Sequence, residues 1–239
     1  MVPVSARQDF TAYGPSHFVV LGVFAVGAAV LVMAGRRYGD RPGTRRFTKI
    51  FSGVILVVLI GELIYYLLPA NWDLGSSLPI QLSDMAGVAA AYSLWSMRHW
   101  AYALTYYWGL TLSTQAMLTP ALYGPDFPSW EFSLFWLWHF FVVWAAIYLT
   151  WGLGMRPDWH SYRFVVLVTV CWAAVLLLFN SIAGTNYGYL NAKPAIGSLL
   201  DFLGPWPWYL LPEAALVFGV WALITWPWVR SLRAAAAQR

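Results

Sequence analysis

The sequence predicts an all-α, polytopic integral membrane protein of seven transmembrane helices, and three observations predict it. Of 239 residues, 60% are hydrophobic and 10% charged, with mean hydropathy +0.60. A soluble domain carries about 25% charged residues, so this chain cannot build a solvated surface; an ordinary soluble enzyme and a disordered chain are both excluded. Apolar stretches of about 20 residues recur along the chain, the length a bilayer requires. Lysine and arginine gather on one side of those stretches.

The expected spans are 16–35, 47–68, 78–96, 100–119, 132–153, 161–183 and 206–228. Basic Arg36 and Arg37 follow the first apolar run rather than precede it, so that span reads as a retained anchor and not a cleaved signal. Pro69, Pro120 and Pro157 follow the second, fourth and fifth spans. Ser76-Ser77-Leu78-Pro79 reads as a cap with proline in the first turn of the third. Met97-Arg98-His99 is all that separates the third span from the fourth, and Pro205 and Pro207 precede the seventh. No repeat, low-complexity tract or linker divides the sequence, so residues 1–239 read as one domain.

Orientation follows from the cations. Arg36, Arg37, Arg41, Arg45, Arg46, Lys49, Arg98, Arg156, Arg163, Arg230, Arg233 and Arg239 fall on one side; Arg7 and Lys193 fall on the other. With an odd number of spans this puts the N-terminus outside and the C-terminus in the cytoplasm, in a cell membrane of the bacterial plasma-membrane type. The pI of 9.2 therefore reports topology and not nucleic-acid binding. Trp72, Trp130, Trp206 and Trp208 are expected at the outer interface; Trp95, Trp100, Trp151, Trp226 and Trp228 are expected at the inner one. Trp108, Trp136, Trp138, Trp144, Trp172 and Trp221 read as packing residues. Cys171, the single cysteine, excludes a disulfide, a redox pair and a zinc-thiolate centre, and reads as an inert core thiol.

Polar residues inside spans are costly and default to function. His17, Glu62, Ser83, Asp84, Gln115, His139, Asn180 and Glu213 all map to the outer third of their spans at 1.5 Å per residue, joined by Gln81. The cytoplasmic halves hold none of these candidates. One shared depth on seven helices predicts a wet cavity open to the outside or to the outer leaflet. Structural readings stand beside this one. His17 suits an interfacial histidine and Ser83 a hydroxyl bonded to its own helix. His139 suits a packing histidine, Glu62 and Glu213 suit carboxyls that tie helices together, and the Thr111–Thr114–Gln115 stripe suits helix pairing.

No span carries a central lysine, which excludes a retinal Schiff base, and no phosphate-loop or metalloprotease motif occurs. Neither a metal nor a cofactor is expected. A hydroxyl nucleophile needs a base and donors for an oxyanion. Ser83 and His139 at matching depth, with Asp84, Glu62 or Glu213 orienting the imidazole and Gln81, Gln115 or Asn180 as donors, would meet an ester at the glycerol level of the outer leaflet. That points to acyl transfer or ester hydrolysis on a membrane lipid. Two other classes stay open: a proton-coupled solute carrier using Glu62, Asp84, Glu213 and His139, and a non-catalytic lipid-binding or scaffold subunit. A homo-oligomer or a larger membrane complex is open as well.

Several segments are similar to YwaF-like bacterial membrane proteins, which are related to the eukaryotic transmembrane protein 164 family. They are Phe10–Phe18 (FTAYGPSHF), Leu78–Asp84 (LPIQLSD), Tyr107–Pro120 (YWGLTLSTQAMLTP), His139, Gly154–Pro157 (GMRP) and the run from Asn180 through GTNYGYLNAKP to SLLDFLGPWPWY. Asn186 in that run joins the cavity candidates. The resemblance covers nearly the whole chain. It implies acyltransferases that remodel ether phospholipids with a cysteine nucleophile and a histidine. In the family's third-helix pattern LPxHLC, Ser83 stands at the cysteine and Gln81 at the preceding histidine, while His139 matches the fifth-helix histidine. Androgen-induced membrane hydrolases, similar in placing nucleophile and histidine on separate spans, use threonine, so a hydroxyl fits the role.

Overall fold

The computed structural model describes residues 9–39, 41–120, 122, 124–194 and 199–237. Arg7, Arg239 and the Arg233 side chain lie outside that description. Helices are the regular structure of the described residues, with one isolated β-bridge between Asp9 and Pro125.

Seven helical rods alternate in direction. They are α1 (Pro15–Tyr38), α2 (Pro42–Leu67), α3 (Leu82–Ser96), α4 (His99–Trp108), α6 (Trp130–Ile147), α7 (Trp159–Ala183) and α8 (Leu210–Ala237). The fourth rod runs from α4 through a π-helical turn, Gly109–Ser113, into α5 (Thr114–Leu118). The fifth continues α6 through a second π-helical turn, Tyr148–Gly152. Five rods are long and apolar enough to cross a membrane: α1, α2, α6 with its π turn, α7 and α8. α3, at 15 residues, is about 22 Å long against a hydrocarbon core of about 30 Å.

The expected third span starts too early. Ser77 does not cap a helix at Leu78; its hydroxyl accepts the Asp73 N–H at 2.9 Å inside a turn. The helix begins at Leu82, where Gln81 is the N-cap and the Asp84 carboxylate, at the third helical position, accepts the Gln81 N–H at 2.9 Å. That contact belongs to a capping box, and it satisfies one of the donors a helix N-terminus leaves open. The expected basic 36–49 loop is also corrected. α1 runs on to Tyr38 and α2 starts at Pro42, so its cations lie mostly on two helix ends. Pro212 stands four residues after Trp208, a spacing that inside a helix would free the Trp208 carbonyl; it falls instead in the first turn of α8, and that carbonyl accepts the Leu211 N–H at 3.3 Å.

Burial divides the rods into a centre and a rim. Ala101 through Gly109 on the fourth rod are all buried, and 61% of the apolar stretch of the fifth rod is buried, against 6% for α1. Centre and rim interlock through glycine. A Cβ on Gly87 of α3 would lie 2.0 Å from the Trp138 ring, and one on Gly35 of α1 would lie 2.5 Å from Gly152 Cα. Only hydrogen fits at either site, and the two small residues let α1 lie backbone to backbone on the π turn. Trp136, Trp138, Trp108 and Trp221 are buried as packing residues, while Trp72, Trp130, Trp206 and Trp208 are exposed. Cys171 is exposed and is not a core thiol, because its helix lies on the rim.

Candidate functional site

The site starts at the first turn of α3. Because the helix begins at Leu82, Ser83 occupies its second position rather than lying one and a half turns down. The Leu82 and Ser83 N–H groups have no intrahelical acceptor there, and no hydrogen bond to either is found among the described residues. The Ser83 hydroxyl is half-buried, with no hydrogen bond described. A hydroxyl therefore stands beside two free backbone donors at the positive end of a helix. Sequence spacing does not reveal this, because it depends on where the helix begins.

His139 is 8% exposed. Its Nδ1 donates to the Phe135 carbonyl at 2.7 Å, and its ring packs tilted against Phe135 with centroids 4.4 Å apart. With Nδ1 holding the proton, Nε2 carries the lone pair of the neutral imidazole. The expected orienting carboxylate is replaced by this main-chain carbonyl, since Asp84 is committed to the α3 cap. No hydrogen bond joins Ser83 to His139 among the described residues, and the α6 side chain that meets α3 at Gly87 is Trp138.

Glu62 on α2 and Asp84 on α3 are close enough for their charges to interact, and Tyr66 feels Glu62, Asp84 and Glu131. Glu62 therefore lies on the same side of the bundle as the α3 N-terminus. Glu213 lies apart, one turn beyond Tyr209, whose carbonyl accepts its N–H at 3.0 Å. Among the described residues no group of three histidine, cysteine, aspartate or glutamate side chains could hold a metal.

Other expected cavity residues are engaged elsewhere. His17 is fully buried; its Nδ1 accepts the Tyr13 N–H and its Nε2 donates to the Met117 carbonyl, both at 2.9 Å, so neither nitrogen is left for a substrate. Gln115 is exposed and donates to Thr119 at 3.1 Å. Asn180 donates to the Tyr187 carbonyl and to Asn191, and accepts from Thr185 and the Tyr187 N–H. Asn186 closes the same loop through the N–H groups of Asn191 and Ala192 and the Ala192 carbonyl.

That loop is a clamp over α3. Gln81 Oε1 accepts the Gly188 N–H at 2.9 Å. Trp172 donates to the Ile80 carbonyl at 3.0 Å, and the Tyr187 hydroxyl accepts the Leu78 N–H while donating to the Leu74 carbonyl. Tyr209 donates to the Tyr189 carbonyl, which ties in α8. Gln81 Oε1 is thus a strut between that loop and the start of α3. Tyr187 and Tyr209, both buried, are the residues that sequence reasoning missed; a tyrosine in a polar loop carries no depth signal to find it by.

A family model described as the TMEM164 family matches residues 12–225. No curated protein and no solved structure matches the chain. With that match and five helices fit to cross a bilayer, the chain is a multi-pass membrane protein.

Proposed function

From the premise that the chain belongs to the TMEM164 family, we propose that it transfers or hydrolyses acyl esters of membrane lipids, with Ser83 as nucleophile and His139 as base. The reading takes all seven rods as spans, with the N-terminus outside a cell membrane and the Ser83 end in the outer leaflet. The observation that carries it is the place of Ser83: a hydroxyl without a partner, in the first turn of a helix whose leading N–H groups are free.

In the reaction, the Ser83 oxygen attacks the ester carbonyl carbon and its proton passes to His139 Nε2. Negative charge gathers on the carbonyl oxygen, where the Leu82 and Ser83 N–H groups stabilise it. The ester C–O bond breaks and the lysolipid alkoxide takes the proton from His139. A water, or the hydroxyl of a second lysolipid, then attacks the acyl-serine with His139 as base again. Ser83 is released with a free fatty acid in the first case and a remodelled lipid in the second. Side-chain motion must first close the gap between the two residues; such alignment is often completed only with substrate bound.

A second reading, lipid binding without turnover, is favoured by the absence of a Ser83–His139 hydrogen bond. One experiment divides the two. Purified protein is incubated with mixed phospholipids and lysophospholipids, the products are followed by lipid mass spectrometry, and a fluorophosphonate probe is applied in parallel. Acyl exchange or release together with probe on Ser83 supports the enzyme. Lipid retained without turnover and an unlabelled Ser83 leaves the binding reading in its place.

A further inference from the structure

The opposite end of the bundle carries a site that the acyl-transfer reading does not use. A cavity of about 350 Å³ opens where α1 ends and α2 begins, lined by Arg36, Arg41, Thr44, Arg45 and Thr48, with Gly152 at its floor. Arg45 also borders a shallower groove along α2 with Arg46, Lys49 and Ile50. No carboxylate lines either space among the described residues, where Lys193–Asp201 is the one salt bridge, far away in sequence and on another loop.

Among the described residues, the partners of these cations are a carbonyl and aromatic rings. Arg36 Nε donates to the Trp151 carbonyl at 3.1 Å. Arg41 lies over the Tyr38 ring at 4.9 Å, with Arg37 at 5.6 Å from the same ring, and Lys49 lies over Trp95 at 5.1 Å. The N-terminus of α2, 26 residues long, adds the positive end of its dipole to the same space. The close contact of Gly35 with Gly152 brings the arginines of α1 against the π turn of the fifth rod and forms the floor.

Arginines with no carboxylate partner among the described residues, around a concave space at the ends of membrane-spanning helices, match one chemistry. We propose that this cavity binds the phosphate-bearing headgroup of an anionic phospholipid from the leaflet at this end. Basic pockets between membrane helices recognise such headgroups, and each cation near the surface adds attraction that salt screens. The planar guanidinium forks of Arg36, Arg41 and Arg45 suit bidentate contact with phosphate oxygens.

The full-length chain is placed in nanodiscs of phosphatidylcholine containing a minor share of phosphatidylglycerol, and the retained lipids are counted by native mass spectrometry. Phosphatidylglycerol should be enriched over its bulk share. Arg41→Gln with Arg45→Gln removes two side chains that make no hydrogen bond to the fold among those described. It should cut that preference about fivefold for each arginine, about thirtyfold in all. Arg163→Gln with Arg230→Gln, an equal loss of charge away from the cavity, should leave it intact. Equal loss in both variants, or none in the first, overturns the site. Should the cavity variant not fold, the unmodified chain still decides: the preference must shrink severalfold between 0.1 and 0.5 M salt, and a salt-independent preference sinks the proposal. Inorganic phosphate is the last arm. Millimolar phosphate that displaces phosphatidylglycerol and raises thermal stability as much as the lipid does would assign the cavity to a soluble phosphate instead.

Discussion

Two regions of the bundle, the interior of the central rods toward the basic end and the first turn of α3 with the His139 it faces in the proposed reaction, treat polar side chains differently. Toward the basic end, hydroxyls and indoles within the central rods are paired. Tyr102 bonds Thr150 and the Met155 carbonyl; Tyr106 donates to the Ile224 carbonyl and accepts from Trp228; Tyr107 meets Thr225 at 2.6 Å; and Trp108 donates to Thr169. Ser93, buried without a partner, is the exception. Around the α3 N-terminus, by contrast, Ser83 and His139 Nε2 carry no described hydrogen bond. Interhelical pairs each contribute modestly in a membrane, but together they fix which helices meet and in what register. A polar group without a partner adds nothing to that register and costs desolvation. The difference teaches where to look for function: at the few polar groups left unspent, Ser83 and His139 Nε2, among many that are paired.

The contrast breaks first on activity. Ser83→Ala should remove acyl turnover entirely with the unfolding midpoint unmoved, and His139→Ala should lower turnover by about 10²–10⁴-fold. The double variant should be no worse than the first alone, because the two residues act as a unit. Ser83→Cys should keep turnover and become sensitive to alkylation. A Ser83→Ala chain that unfolds several degrees lower would place that hydroxyl with the structural ones and erase the comparison.

On stability the largest effect should come from the glycine contact. Gly35→Val must push α1 off the π turn at Gly152. Overpacking of that kind costs about 1–3 kcal/mol, or more where backbone is the obstacle, and thermal unfolding in detergent measures it. Tyr107→Phe removes one hydroxyl from the paired region and should cost about 0.5–1.5 kcal/mol without touching turnover. Loss of activity in Tyr107→Phe at unchanged stability would mean that the paired region takes part in function.

The smallest effect is a pH dependence at the start of α7. Burial alone would raise the Asp158 pKa. The Ser161 N–H and hydroxyl, together with His99 and His160, outweigh burial and hold the carboxyl below its ordinary range. A depressed carboxyl contributes stability above its unfolded pKa and loses it as pH falls. The unfolding midpoint should therefore drop slightly below about pH 4, and Asp158→Asn should flatten that drop while lowering stability at neutral pH. An unchanged profile in Asp158→Asn refutes the assignment.

Much of this was legible in residues alone. Seven apolar stretches became seven rods, most with bounds within a few residues of those expected, since hydropathy over 20 residues is a strong local signal. The polar set was legible as a list and not as a site. Asn180 and Asn186 have the composition of cavity residues, yet Asn180 spends both donors and its acceptor oxygen, and Asn186 its oxygen and one donor, on one loop. Gln115 shares the depth of His139 but faces outward, because depth fixes height along a helix and says nothing of which neighbour stands beside it. The tyrosines of α4 gave no warning either, since a tyrosine reads as apolar until a threonine on another rod meets its hydroxyl.

The sequence by itself determined that the chain is helical, that it belongs in a membrane, and that its cations collect at one end. These follow from composition and from a period that each segment carries within itself. The tertiary structure decided which rods form the centre. α4 is rich in Tyr and Thr and α3 is short; both survive because other helices cover them, whereas the rim helices must be long and apolar enough to face lipid on their own. It also decided where α3 begins. Gln81 is held from outside by the Gly188 N–H of a loop more than a hundred residues away. That bond and the Asp84 cap start the helix at Leu82 and leave Ser83 beside free backbone donors. A helix start set by a distant partner has no local signature, so this placement of the candidate nucleophile came only with the fold.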